Sequence, residues 1–135
     1  MSVARLVDLS MPIDDRTPYY PGDPRPVVCP ATTIAREGVN VSRLDIGSHT
    51  GTHCDAPYHF LEDGLRLDEL PLERFVGPGV VIDCTRVGPR TPLTTNLLEP
   101  YGEQLGPGVI VLLHTGWDVR STPETIFDHP FLDAA

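Results

Sequence analysis

Three of the five histidines in the chain lie in the stretch GSHTGTHCDAPYHF at residues 47–60, here called the histidine loop, together with one aspartate. His49, His53, Asp55 and His59 all have odd numbers, so in an extended segment their side chains would share one face. Two imidazoles and a carboxylate suit zinc, manganese or iron, and a set of three leaves positions open for water. The spacing therefore predicts a catalytic metal site with His49, His53 and Asp55 as its ligands.

The backbone must bend for these ligands to meet. His53 and Asp55 are about 6.6 Å apart along an extended strand and can converge on one ion. His49 would be roughly 13 Å from His53 in a fully extended segment, which is too far for a shared ion. Gly51 can adopt conformations that are closed to other residues. We therefore expect a bend near Thr50-Gly51 that brings His49 toward His53 and Asp55.

Two further residues of the histidine loop have distinct expectations. His59 is either a fourth ligand or a general base beside the metal, because histidine is the most frequent proton-transfer group in enzymes. Cys54 has an even number, so we expect it to face away from the ligands and to pack as a small apolar side chain.

Aromatic side chains outside this loop are candidates for contact with a substrate. His114 and Trp117 follow the most apolar run of the chain, at an edge where open α/β sheets often bind ligands. The alternative is that Trp117 only covers the end of the sheet. Tyr20, beside Tyr19 and before a Pro-Gly turn, could form a wall for a ring-shaped substrate.

Composition bounds the class of protein. A length of 135 residues predicts one domain, and a net charge of −9 argues against nucleic acid and anionic membranes as partners. The longest aliphatic run, residues 109–113, is too short to cross a membrane, and no signal peptide is evident. Three widely spaced cysteines favour reduced thiols in a cytoplasmic protein. A small molecule is therefore the expected partner.

Apolar runs between glycines and prolines predict a β-rich chain with few helices. Asp83, at the end of such a run, is expected to be a turn or capping residue, and Thr94 to cap a short helix that runs through Leu98 and ends at Pro100 and Gly102. The alanine-rich pattern at FLDAA is compatible with the start of a helix. Strands are expected over residues 3–9, 27–34, 41–46, 79–84 and 108–116 (the last buried on both faces), short helical turns over 67–75, and a proline-rich loop over 11–26.

The stretch EGVNVSRLDIGSHTGTHCDAPYHF, with GPGVVIDC, VIVLLHTGW and HPFL after it, resembles the metal-dependent hydrolase family called the putative cyclases. That family includes bacterial kynurenine formamidase and isatin hydrolase. YPGDP at residues 20–24 also resembles the N-terminal loop of the family, and the resemblance runs from about Val7 to the last residues. The family signature HxGTHxDxPxH is matched residue by residue by His49, Gly51, Thr52, His53, Asp55, Pro57 and His59.

The resemblance implies a swivelling β/β/α-type α/β domain with a mixed sheet. It implies that His49, His53 and Asp55 bind zinc or manganese, with Asp55 able to bridge a second ion, and that His59 is the catalytic acid and base. The implied activity is hydrolysis of an amide in a small aromatic acid by a homo-oligomer, of the arylformamidase type that acts on N-formylkynurenine in tryptophan catabolism. Tyr20 and Trp117 would then flank the aromatic ring.

Two other readings keep the same motif. One is a hydrolase of a lactam such as isatin, or of another small acyl compound. The other is an inactive metal-binding or interaction domain. Family members are usually longer, and their C-terminal part adds a histidine and a glutamate to the metal site. We therefore expect residues 1–135 to form a family domain that is incomplete on its C-terminal side, in which a binuclear site would need ligands from another chain.

Overall fold

The computed structural model describes residues 5–133, and its contacts divide into two compact units, Met1–Leu67 and Asp68–Ala135. Short strands and very short helices make up a mixed α/β fold, as predicted, while the prediction of one domain over residues 1–135 stays a prediction. In the part of the chain that is described, no helix has the length and apolar character needed to cross a membrane. The first unit contains strand β1 (Val27–Thr32), helix α1 (Ile34–Glu37) and strand β2 (Val41–Asp45). The second contains β3 (Gly79–Asp83), β4 (Pro92–Leu93), β5 (Ile110–His114), α2 (Trp117–Arg120) and β6 (Phe131–Leu132).

Short 3₁₀ helices of three to six residues connect these elements. Two of them confirm the helical turns predicted for residues 67–75. The turns are Pro57–His59, Leu67–Glu69, Leu72–Phe75, Thr95–Leu97, Glu99–Gln104 and Ile126–Asp128.

An antiparallel hairpin of β1 and β2 leads directly into the histidine loop. Val27 lies opposite Asp45, and the register shifts between Pro30 and Thr32, where proline has no N–H to donate to the ladder. Gly38 ends α1 with a φ of 78° and donates its N–H to Ile34 O at 3.0 Å. The strands predicted over 27–34 and 41–46 are thereby confirmed, slightly shortened.

The proline-rich loop, residues 11–26, supports the histidine loop from one side. The backbones of Tyr19 and Thr50 form an isolated antiparallel bridge, and Met11 N donates to Thr52 Oγ1 at 3.0 Å. Thr17 is buried and accepts from Asp14 N through its hydroxyl at 2.8 Å. The predicted loop is confirmed, and its hydrogen bonds position Thr50 and Thr52.

Parallel strands β3 and β5 form the centre of the second unit. Val81 lies opposite Leu112, and Asp83 opposite His114. The covered face buries Ile82, which has no exposed surface. The core of the second unit consists of Ile82, Cys84 and Leu93, packed against Val80, Val87, Leu97, Leu98, Tyr101 and Leu113.

A second parallel pair, β4 and β6, closes this unit. Pro92 lies opposite Phe131 and Leu93 opposite Leu132. Arg90 fastens the pair, because its guanidinium contacts Asp128 Oδ1 at 2.6 Å and its backbone N donates to Asp128 O at 2.8 Å. The prediction that FLDAA begins a helix is wrong for Phe131 and Leu132, which are strand residues; the two alanines lie outside the described residues.

Three other predictions about elements are wrong. Residues 5–9 form no strand, while residues 3 and 4 of that prediction lie outside the described range. Strand β5 is not buried on both faces, since Val111 is 41% and Leu112 42% exposed. It pairs with β3 alone among the described strands, and the packed side chains cover only one face of that pair.

The helix predicted after Thr94 is also different in kind. Thr94 occupies the N-cap position of the 3₁₀ turn Thr95–Leu97, but its side chain makes no capping hydrogen bond. A second 3₁₀ turn, Glu99–Gln104, then continues through Pro100 and Gly102 instead of ending there. Proline is tolerated because it stands in the first positions of that turn, where its missing N–H has no partner to lose.

Candidate metal centre

The predicted bend in the histidine loop is confirmed. Gly51 has a φ of 62°, a left-handed conformation that costs little only for glycine. The bend places His49 Nδ1 at 3.2 Å from His53 Nε2, whereas an extended segment would separate the two residues by roughly 13 Å along the backbone. A Cβ on Gly51 would lie 3.0 Å from Thr17 Cγ2, so the bend is also closely packed against the proline-rich loop.

His49, His53 and Asp55 present three ligand atoms at one point. Asp55 Oδ1 lies 2.8 Å from His49 Nδ1 and 3.2 Å from His53 Nε2. Ligands bound at about 2.0–2.1 Å from an ion are separated by about 2.9 Å in octahedral and about 3.3 Å in tetrahedral geometry. The triangle thus has the dimensions of one face of a coordination polyhedron.

Hydrogen bonding of His53 shows that this donor set fits a cation. His53 Nδ1 lies 2.8 Å from Gly51 O, and a carbonyl oxygen can only accept, so Nδ1 carries the hydrogen. In a neutral ring the lone pair is then at Nε2, the atom that faces Asp55 and His49. A backbone carbonyl that fixes the other ring nitrogen is the usual arrangement for a histidine that binds a metal. Lone pairs directed at a carboxylate oxygen fit a cation between them.

His59 is close enough to take part. Its ring centroid lies 3.7 Å from that of His49, with the ring planes tilted by 36°. His49, Asp55 and His59 could also hold a metal ion, because one ligand atom from each lies within 4.8 Å of the others. Both readings of His59, as a fourth ligand and as a proton-transfer group, therefore agree with the geometry, and its role stays a prediction.

A short turn and a returning loop position His59. Ala56 is extended, and Pro57 begins the 3₁₀ turn that ends at His59. The chain then comes back, so that Tyr58 N donates to Leu65 O at 3.1 Å. A Cβ on Gly64 would lie 2.6 Å from the carbonyl carbon of Pro57. Only glycine permits this approach, which returns residue 66 to the site.

A cleft of about 420 Å³ opens beside these ligands. The prediction that Cys54 packs away from the site is wrong: its side chain is exposed and lines the same cleft as His49 and His59. Side chains alternate between two faces only in a continuous extended strand. The loop turns at Gly51, so the even number of Cys54 does not decide where its side chain points. The lining residues are Ser48, His49, Cys54, Ala56, Tyr58, His59, Arg66 and Leu67.

Tyr58 and Arg66 were not anticipated from the sequence. Arg66 Cζ lies 4.8 Å from the centroid of the Tyr58 ring, and both line the cleft. The sequence holds one usable signal, the Asp63-Gly64 dipeptide, which is typical of a tight turn. That turn predicts the return of the chain, although not the side-chain contact.

The two predicted substrate-binding aromatics have different surroundings. Tyr20 is 63% exposed and begins the turn in which Asp23 N donates to Tyr20 O at 3.0 Å. Trp117 belongs to the second unit, where its indole N–H donates to Ile126 O at 2.9 Å and Arg120 stacks on its ring at 5.4 Å. These contacts favour the reading in which Trp117 covers the end of the sheet. A role in substrate binding stays a prediction for both residues.

Asp83 acts as the expected turn residue. Its Oδ1 accepts from Thr85 Oγ1 at 2.7 Å and from Thr85 N at 2.9 Å. The Thr85 hydroxyl is the main cause that lowers the pKa of Asp83, and nearby charge on His114 acts in the same direction. Asp83 therefore closes the turn that follows β3.

Together, the hairpin, the bent loop and the converging donors define a mixed α/β domain with a candidate catalytic metal centre. The chain belongs to the putative cyclase family, whose model matches residues 7–135.

Two relatives show how far the likeness extends. The chain is 35% identical over 130 residues to a kynurenine formamidase from Geobacillus thermodenitrificans, which covers 94% of this chain and 58% of the relative. Isatin hydrolase A from Labrenzia aggregata, solved with bound benzyl benzoate, matches with a TM-score of 0.72 and 29% identity. That match covers 87% of this chain and 53% of the other. The chain thus spans between half and three fifths of the length of these relatives.

Proposed function

We propose that this chain carries the metal-binding part of a hydrolase that cleaves the amide bond of a small aromatic acid, with an aryl formamide such as N-formylkynurenine as its substrate. The observation that carries the proposal is the triangle of His49 Nδ1, His53 Nε2 and Asp55 Oδ1, with sides of 2.8 to 3.2 Å. Family membership and the likeness to a kynurenine formamidase support the choice of reaction.

His49, His53 and Asp55 would hold zinc or manganese, since two imidazoles and a carboxylate suit either ion. Such an ion supplies a nucleophilic water near neutral pH and polarises the carbonyl of the substrate. The backbone carbonyl of Gly51 keeps His53 in the tautomer that binding requires. The contact between Tyr19 and Thr50 holds the loop in its bent form.

His59 would move the proton. A ring nitrogen of His59 takes a proton from the attacking water and delivers it to the leaving nitrogen as the C–N bond breaks. The new C–O bond yields formate and an aryl amine. A positioned acid and base of this kind contributes typically 10²–10⁴-fold to the rate. The exposed ring of Phe60 lies edge-on against His59, with 4.1 Å between the ring centroids.

A formamidase assay with N-formylkynurenine tests this proposal. We expect hydrolysis that chelator abolishes and that zinc or manganese restores. His59→Gln should lower kcat by about 10²–10⁴-fold, while His129→Gln, in the second unit, should leave kcat unchanged. Full turnover after complete removal of metal would rule the mechanism out.

A lactam is the second candidate substrate, because the matched structure is an isatin hydrolase. The same residues would serve, since ring opening also adds water across a C–N bond. Comparing kcat/KM for an open-chain aryl formamide and for isatin on one preparation decides between the two. We further propose a cytoplasmic homo-oligomer with a small-molecule substrate.

A further inference from the structure

Thr17 is buried where the proline-rich loop meets the histidine loop, with only 4% of its surface exposed. Its hydroxyl accepts a hydrogen bond from Asp14 N at 2.8 Å and donates one to Pro12 O at 3.2 Å. Both partners belong to the proline-rich loop, and Thr17 N also donates to Asp14 O at 3.2 Å. The hydroxyl of Thr17 therefore folds the proline-rich loop on itself and fixes the direction of the methyl group.

The methyl group of Thr17 faces the bend in the histidine loop. A Cβ on Gly51 would lie 3.0 Å from Thr17 Cγ2 and 3.5 Å from Met11 Cγ and Sδ, so two side chains of the proline-rich loop enclose Gly51. The residue after the bend is held as well, because Met11 N donates to Thr52 Oγ1 at 3.0 Å. These contacts limit the conformations that Gly51 can adopt around its φ of 62°.

The orientation of Gly51 matters because its carbonyl contacts a candidate metal ligand. Gly51 O lies 2.8 Å from His53 Nδ1, and this contact directs His53 Nε2 toward Asp55 Oδ1, 3.2 Å away. We propose that Thr17 is a positioning residue of the candidate metal centre, whose methyl group holds Gly51 so that its carbonyl orients His53. This inference rests on the metal centre of the proposed function and not on its choice of substrate.

Serine and valine at position 17 separate the two halves of the side chain. Thr17→Ser keeps the hydroxyl and removes the methyl group, so we expect the zinc affinity to fall about tenfold. Thr17→Val keeps the group beside Gly51, so its zinc affinity should stay within about threefold of the wild-type value. Its unfolding temperature in the absence of metal should nevertheless fall further than that of Thr17→Ser, because two backbone groups lose their partner.

Calorimetric titration with zinc and thermal unfolding of the metal-free chain measure the two effects separately. Thr32→Ser is the matched control, because it removes the same methyl group at the end of the hairpin far from the histidine loop, and it should bind zinc like the wild-type chain. Cobalt adds a spectroscopic readout of ligand geometry. At saturating cobalt, the visible absorption band should change in Thr17→Ser and stay unchanged in Thr32→Ser.

A double variant tests the contact between Thr17 and Gly51 itself. Because a Cβ on Gly51 meets the methyl group of Thr17, Gly51→Ala should weaken zinc binding by a factor at least about threefold smaller in the Thr17→Ser background than in the wild-type background. Effects that simply multiply would show that the two residues act independently, which would overturn the inference.

The inference is also overturned by wild-type zinc affinity in Thr17→Ser, or by zinc affinities that follow the order of the unfolding temperatures. Absence of zinc binding by the wild-type chain would overturn both this inference and the proposed function. If Thr17→Ser weakens zinc binding as expected but no formamide is hydrolysed, the proposed function fails and the assignment of Thr17 stands.

Discussion

A hydrogen bond with a neighbouring backbone carbonyl orients the ring of His53. With Nδ1 engaged by Gly51 O at 2.8 Å, its other nitrogen faces Asp55 and His49. The sequence predicts this convergence because it depends on local features, namely side-chain parity and one glycine. It does not predict the position of Cys54, because the direction of that side chain depends on how the loop continues after the bend.

The three cysteines differ in their surroundings, and their reactivity should follow. Cys29 and Cys54 are exposed, whereas Cys84 is buried, and burial raises the pKa of its thiol. Since the thiolate is the reactive form, we expect maleimide to modify Cys29 and Cys54 in the native protein and Cys84 only after unfolding. Peptide mass spectrometry measures this directly. Modification of Cys84 at the rate of Cys54 would contradict the described core.

Asp83 should contribute to stability in a pH-dependent way. Its pKa is lowered in the folded state, first by the Thr85 hydroxyl, so its contribution is present above the ordinary pKa of about 3.9 and is lost as pH falls below it. Asp83→Asn should unfold at a lower temperature than wild type at pH 7, and the difference should disappear as the pH falls through the lowered pKa of Asp83. Thermal unfolding of both proteins checks this, and a constant difference at every pH would contradict it.

At the scale of elements, glycines decide how the loops approach each other. Gly51 lets the histidine loop bend, and Gly64 lets residue 65 meet Tyr58. The sequence predicts the bend at Gly51, because His49 can approach His53 and Asp55 only if the loop bends. It does not predict the close approach at Gly64, since the contact with Pro57 depends on packing between residues that no spacing rule relates. Exposure of β5 is another such case, because the length of an apolar run says nothing about how many faces are covered.

Gly51 and Gly38 form a matched pair for testing the bend. Both have positive φ values, 62° and 78° respectively. An added Cβ would contact Thr17 at position 51, whereas at position 38 it would have no neighbour within 4 Å. Either substitution by alanine should cost about 1–2 kcal/mol of unfolding free energy. Gly51→Ala should in addition weaken zinc binding about 10–100-fold, as measured by calorimetric titration.

Gly38→Ala is the control and should bind zinc like the wild-type chain. Equal affinities in the two variants would show that the bend at Gly51 does not position the ligands.

At the scale of the whole molecule, the ligand set is contained in the first unit and in one loop of 14 residues (47–60). This explains why a chain that spans 58% of a curated relative retains His49, His53, Asp55 and His59 together. The fold class can be predicted from the sequence, because short apolar runs separated by glycine and proline are typical of short strands with few helices. The pairing of β4 with β6 does not, since each strand has only two residues and joins segments far apart in the chain.

Metal content measured by elemental mass spectrometry tests the central claim most directly. The purified chain is loaded with zinc or manganese, dialysed and compared with His53→Ala, Asp55→Ala and, as control, His129→Ala. Three converging ligands predict about one ion per chain in the wild type and in the control, and near-zero occupancy in the other two variants. Equal metal content in all four proteins, or none in the wild type, would contradict the account.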